Sequence, residues 1–71
     1  MNYRNKVREL RLRSLLATQA ELARRTGIDR TTLSRLESQQ YFLSSRQALA
    51  IRDALGCTLD DLFERIPEEA S

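Results

Sequence analysis

The sequence predicts a compact all-α fold of five short helices in a single domain, residues 1–71. Two observations predict it. Leu and Ala dominate an apolar fraction of 41% in which aromatics are only 6% of the chain, a composition suited to a small helical bundle. Helix-start and helix-stop residues also recur at short intervals along the chain. Helix one runs from about Asn5 to Leu15, with Val7 and Leu10 inward and arginines outward. Thr18 opens helix two in a Thr18-x-x-Glu21 capping box, in which the hydroxyl takes an orphan amide and the carboxylate returns the bond. Asp29 is the N-cap of helix three. Ser44-x-x-Gln47 is a second capping box, opening a helix that runs to about Leu55 and stops at Gly56. Thr58 caps helix five, with Asp60 and Asp61 complementing the dipole of its first turn and Pro67 at or just past its end. The core spans about 5–66, and 67–71 reads as a frayed acidic tail.

Size and composition exclude several functions. A chain this short hides only about 60% of its unfolded surface, so it gains stability from close helix packing or from pairing of subunits. Cys57 is the only cysteine and there is no histidine, which excludes an internal disulfide and a structural zinc site. No metal or other cofactor is expected. No apolar run exceeds four residues, far below the ~20 that span a bilayer. The opening MNYRNKVREL has no apolar signal stretch, so a cytoplasmic protein without membrane contact is expected. An enzyme is not expected: carboxylates are not paired, and Cys57 has no imidazole to activate it. Cys57 reads as a small buried hydrophobe.

Net charge divides sharply along the chain. Residues 1–35 carry nine basic residues against three acids, whereas 36–71 carry three against seven, giving +6 and −4. A polyanion-binding surface is expected in the first half. Eleven of the twelve cations are arginine, whose planar fork suits phosphate and guanine better than an ammonium does.

Within that basic half, residues 19–38 (QAELARRTGIDRTTLSRLES) fit a helix-turn-helix along their whole length. Two helices crossing at roughly 90–120° leave room only for a small side chain at the crossing, which Ala23 supplies beside Leu22. Gly27 follows four residues later, where the turn calls for positive φ. Ile28, Leu33 and Leu36 then face inward, and Arg30, Thr31, Thr32, Ser34 and Arg35 face outward. The other reading of this pattern is an ordinary αα-hairpin with a solvated face; the fit over twenty residues favours DNA binding. A major groove about 12 Å wide admits one α-helix. Arg30 and Arg35 can each give two donors to guanine, worth roughly 1–3 kcal/mol of discrimination, and Thr31 and Thr32 offer hydroxyls and methyls. Arg30 opposes the helix dipole, so local stability does not account for it. The phosphate-binding candidates are Thr18 and Gln19 at the amide-rich start of helix two, Ser34, Ser38, Gln39 and Gln40 on and after helix three, and Arg46 on helix four. Arg24 and Arg25 complement the end of helix two and stay outside the site.

Taken together, Leu10-Arg11, Thr18-Gln19-Ala20-Glu21-Leu22-Ala23, Gly27, Leu33-Ser34-Arg35-Leu36-Glu37 and Ala54-Leu55-Gly56 with Leu59-Asp60-Asp61-Leu62-Phe63 resemble the phage-repressor and Cro type of helix-turn-helix domain, the xenobiotic-response-element family. The resemblance implies a lambda-repressor-like domain of bacterial or phage origin. It also implies that Gln19 clamps the DNA backbone and that Glu37 pairs with an arginine of helix one, here Arg11. The chain departs from the family pattern at Ser38–Leu43, which lacks the usual glycine and proline, at Leu16, where glycine is common, and at Arg52, where a small residue is common.

The expected function is a sequence-specific, double-stranded-DNA-binding transcriptional regulator, a repressor acting as a homodimer on a pseudo-palindromic operator. Dimer contacts are expected from Leu62, Phe63 and Ile66 on helix five or from the Tyr41-Phe42-Leu43 loop. A toxin, polymerase or antirepressor is a candidate protein partner. The alternative is an antitoxin or adaptor module that uses the fold without reading DNA.

Overall fold

The computed structural model describes residues 2–67. In chain order these form β1 (Asn2–Asn5), α1 (Val7–Leu12), α2 (Gln19–Thr26), α3 (Arg30–Glu37), α4 (Ser45–Leu55), α5 (Leu59–Leu62) and β2 (Phe63–Ile66). The five helices enclose a core of Val7, Leu22, Leu33, Ala48, Ile51 and Leu62, with Ala23, Ile28 and Leu43 packed at its margin. The two strands pair antiparallel, Asn2 opposite Ile66 and Asn5 opposite Phe63, and so join the two ends of the described chain.

The caps form where the sequence places them, with one change. Asp29 accepts the backbone N–H of Thr32, and Ser44 and Gln47 complete a reciprocal box. Gly27 and Gly56 close α2 and α4 in the left-handed region, at φ 74° and 67°. At Thr18 the hydroxyl oxygen accepts the Glu21 amide, but the Glu21 carboxylate takes the hydroxyl proton rather than a backbone N–H.

Two helices are shorter than the sequence predicts. Asn5 belongs to β1, and α1 ends at Leu12 rather than Leu15. Ser14 terminates it by donating both its amide and its hydroxyl to the Arg11 carbonyl. Leu15 then projects into solvent, 97% exposed. At the other end α5 is a single turn, and Phe63–Ile66 extends as β2 instead of continuing the helix. Pro67 therefore follows a strand. The tail expected at 67–71 lies, after Pro67, outside the described residues.

Thr58 and Asp61 form a second reciprocal cap at the start of α5. The bonds from the Thr58 backbone and then its hydroxyl hold the Asp61 carboxyl below its ordinary 3.8. Because the folded value is depressed, this cap stabilises above the ordinary value and is lost as pH falls through the depressed one. A carbon-detected NMR titration should place the Asp61 midpoint below 3.8, and Thr58→Ala should return it toward that value. A midpoint unmoved in the variant would assign the depression to the Thr58 backbone N–H alone.

The end of α3 shows how the chain dispenses with the missing glycine. Gln39 itself adopts φ 67°. Its amide reaches the Leu36 carbonyl and that of Gln40 reaches Arg35, the two bonds of a Schellman turn. A left-handed non-glycine residue costs roughly 1–2 kcal/mol. The Gln39 side chain offsets this by accepting the Asn5 backbone N–H and donating to the Asn5 carbonyl, both at 3.0 Å. It pairs with β1 as a neighbouring strand would. Buried Asn5 adds a bond from Nδ2 to the Leu36 carbonyl at 2.7 Å. Gln39→Gly should therefore destabilise by about 1–2 kcal/mol, although glycine relieves the strain, because two bonds worth ~1 kcal/mol each are removed and the unfolded chain gains freedom. A gain in urea midpoint would show that the strain outweighs the bridge.

Candidate nucleic-acid interface

Two elements build the candidate surface. The N-terminus of α2 presents Gln19, and the outer face of α3 presents Arg30, Thr31, Ser34 and Arg35. Leu33 and Leu36 are fully buried, which turns the opposite side of α3 to solvent by the helical period. Gln19, Arg30, Thr31, Ser34, Arg35 and Gln40 line one shallow concavity. Its rim contains two guanidinium groups and no carboxylate, so its potential favours an anion.

Beneath it lies the ion pair that the resemblance implied. Arg11 Nε donates to Glu37 Oε2 at 2.7 Å and Nη2 to Oε1 at 3.0 Å, a bidentate pair with both residues only 7% exposed. Arg11 also donates to the Ala17 carbonyl, which ties down the loop before α2. Glu37 Oε1 accepts in addition from Gln19 Nε2 at 3.1 Å. This network fixes the Gln19 side chain relative to α3, and one amide hydrogen of Nε2 remains for a ligand oxygen. The same pairing neutralises the Glu37 carboxylate beside the concavity.

The remaining candidates are spread more widely. Thr32 is half-buried on the flank of α3, and its amide and hydroxyl both bond to Asp29. Thr18 is exposed beside the concavity, its hydroxyl bonded within the cap. Ser38 donates its hydroxyl to the Arg35 carbonyl. Gln39 is bound to Asn5 and lies outside the concavity. Arg46 is exposed in the first turn of α4, away from the concave residues. Cys57 packs at the margin of the core, and its thiol is raised first by burial and then by the Asp61 charge.

Among the expected dimer contacts, Leu62 must be corrected: it is fully buried in the core and cannot reach a partner. Phe63 and Ile66 are partly exposed, on β2 rather than on helix five. Tyr41, expected only in a candidate dimer loop, instead meets Arg35. Its hydroxyl accepts from Arg35 Nη1 at 2.9 Å, and the guanidinium carbon lies 5.8 Å from the ring centroid. Aromatic character six residues beyond Arg35 is too weak a sequence signal to reveal this contact.

A second helix set across a glycine turn, with arginines, hydroxyls and a braced glutamine on its open side, defines a helix-turn-helix DNA-binding domain. The family model for the Cro/C1-type HTH DNA-binding domain matches residues 6–68, and the chain belongs to that family. No curated protein matches the chain. Membership makes DNA its partner and a DNA-binding regulator its general class. Among the described residues, no helix is long and apolar enough to cross a membrane.

Proposed function

We propose that the chain is a sequence-specific transcriptional repressor that reads the major groove of duplex DNA with α3. It acts in the cytoplasm as a homodimer on a pseudo-palindromic operator with half-sites one helical turn, about 34–36 Å, apart. Arg30, Thr31 and Arg35 take the base edges. Gln19, Ser34 and Gln40 take phosphates along the same concavity, with Thr18, Ser38 and Arg46 as outlying backbone contacts. Covering a promoter then blocks polymerase. The observation that carries this reading is the concavity itself, which gathers two guanidiniums and a glutamine anchored on the buried Arg11–Glu37 pair. One module buries only ~600–1,000 Å² on DNA, which is the energetic reason for a pair.

Selection of bound duplexes from a random library tests it. A two-fold symmetric consensus, with affinity falling steeply as salt rises, is the expected result. Absence of duplex binding even at ~50 mM salt would sink the proposal and leave an adaptor module.

A further inference from the structure

Arg35 is held differently from the arginines that make ion pairs. Arg4 meets Glu9 and Glu64, Arg11 meets Glu37 and Arg52 meets Asp53, so each of the three shares its charge with a carboxylate. Arg35 instead donates from Nη1 to the phenol oxygen of Tyr41 at 2.9 Å, with its guanidinium carbon 5.8 Å from the ring centroid. A carboxylate there would hold the group and cancel its charge. A neutral phenol holds it and leaves the charge for a polyanion. The bond also leaves the edge made by Nε and Nη2 unused. Those parallel donors form the fork that matches O6 and N7 of guanine.

The turn that ends α3 builds this contact. The Ser38 hydroxyl and the Gln40 amide both donate to the Arg35 carbonyl, at 3.1 and 2.9 Å, and bend the chain back over the last turn of the helix. Gln39, left-handed and bridged by its side chain to the Asn5 backbone, fixes that bend. Tyr41 is thereby returned to a side chain six residues behind it. Core packing does not account for its place: the residue is 47% exposed and is not among the side chains packed on the core.

We infer that Tyr41 is a positioning residue for base reading, whose hydroxyl fixes the edge of the Arg35 guanidinium that faces a base and so sharpens the preference for guanine there. The inference rests on the proposed reading of DNA by α3 and names what sets the selectivity of one of its side chains. A solvated arginine loses rotamer freedom when it docks, whereas Arg35 is already ordered in the free protein. That advantage is realised only where a base offers both acceptors to the fork, so it raises discrimination rather than affinity for every sequence. The phenol oxygen accepts from Arg35 and keeps its own hydrogen. A direct bond from Tyr41 to a phosphate is therefore the competing role, and it predicts an equal loss on all duplexes.

Competition binding of the full chain to its selected operator, and to duplexes changed one base pair at a time, tests the inference with Tyr41→Phe, Arg35→Ala and the double variant. Tyr41→Phe removes the hydroxyl alone from a half-exposed ring, so its unfolding midpoint should match that of the wild type. It should reduce discrimination about 2- to 10-fold at the base pair that Arg35→Ala flattens, the factor for ordering one long side chain, and change binding of random duplex by less than about 2-fold. Added to Arg35→Ala it should change nothing further at that position, because Tyr41 acts through Arg35. Unchanged preference in Tyr41→Phe, an equal loss on every duplex, a further loss of preference in the double variant, or an Arg35→Ala that flattens no position each overturns the inference while the reading of DNA by α3 stands. A wild type that binds no duplex, or binds all of them equally, defeats the proposed function itself and the positioning role with it.

Discussion

Glu37→Ala should lower the stability of the domain by about 3–5 kcal/mol, the largest effect expected of any single substitution here. The carboxylate is buried and takes both forks of Arg11. Its removal leaves a guanidinium in a site 7% exposed with only the Ala17 carbonyl as partner. A domain of this size has a total stability of only about 5–10 kcal/mol, so urea denaturation should find the variant near the edge of folding. Its signature differs from that of a cavity. Replacing both partners by apolar residues, Arg11→Met with Glu37→Leu, should cost less than either single change, because no unpaired charge stays buried. Additive losses in the double variant would contradict the electrostatic account. Gln19 loses its anchor in either case, so residual DNA affinity should fall while base preference is retained.

Arg35→Ala should cost roughly 1–3 kcal/mol at one base pair per half-site and little elsewhere. Arg35 stands in the concavity with its guanidinium steadied by Tyr41, so in the proposed role it has less freedom to lose on binding than a solvated arginine. Gln19→Ala removes the proposed phosphate contact and should weaken all sequences alike. Competition binding on a set of single-base operator variants separates the two. If both substitutions flatten the same position, or both weaken every duplex equally, the division between reading and clamping is wrong. Truncating Arg35 also takes a cation away from the DNA, so some reduction in salt slope is expected in addition to the change in preference.

Local chemistry was legible in the sequence. Gly27, Asp29, Ser44, Gly56 and Thr58 each act within three or four residues of themselves, so spacing alone locates the turn and the caps. The lining of the concavity was legible for the same reason, since Leu33 and Leu36 fix which side of α3 is open. Contacts between distant residues were not. The Arg11–Glu37 pair was reached through family resemblance rather than from spacing. Phe63–Ile66 alternates too briefly to distinguish a strand from a last helical turn, and only its pairing with Asn2–Asn5 decides the matter. Leu12, Leu15 and Leu16 have helical spacing, yet Ser14 takes the Arg11 carbonyl and stops the helix before Leu15 can join it. Gln39 reads as a loop residue free to meet a phosphate. Its reach to Asn5 depends on the left-handed turn, which its own identity does not advertise.

The strand pair brings Asn2 opposite Ile66, so the polypeptide enters and leaves the domain at one corner. Ends this close suit circular permutation: a short linker can bridge them, and the exposed bend at Leu15 offers a place to open the chain. A permutant opened there would keep α2, the turn and α3 contiguous.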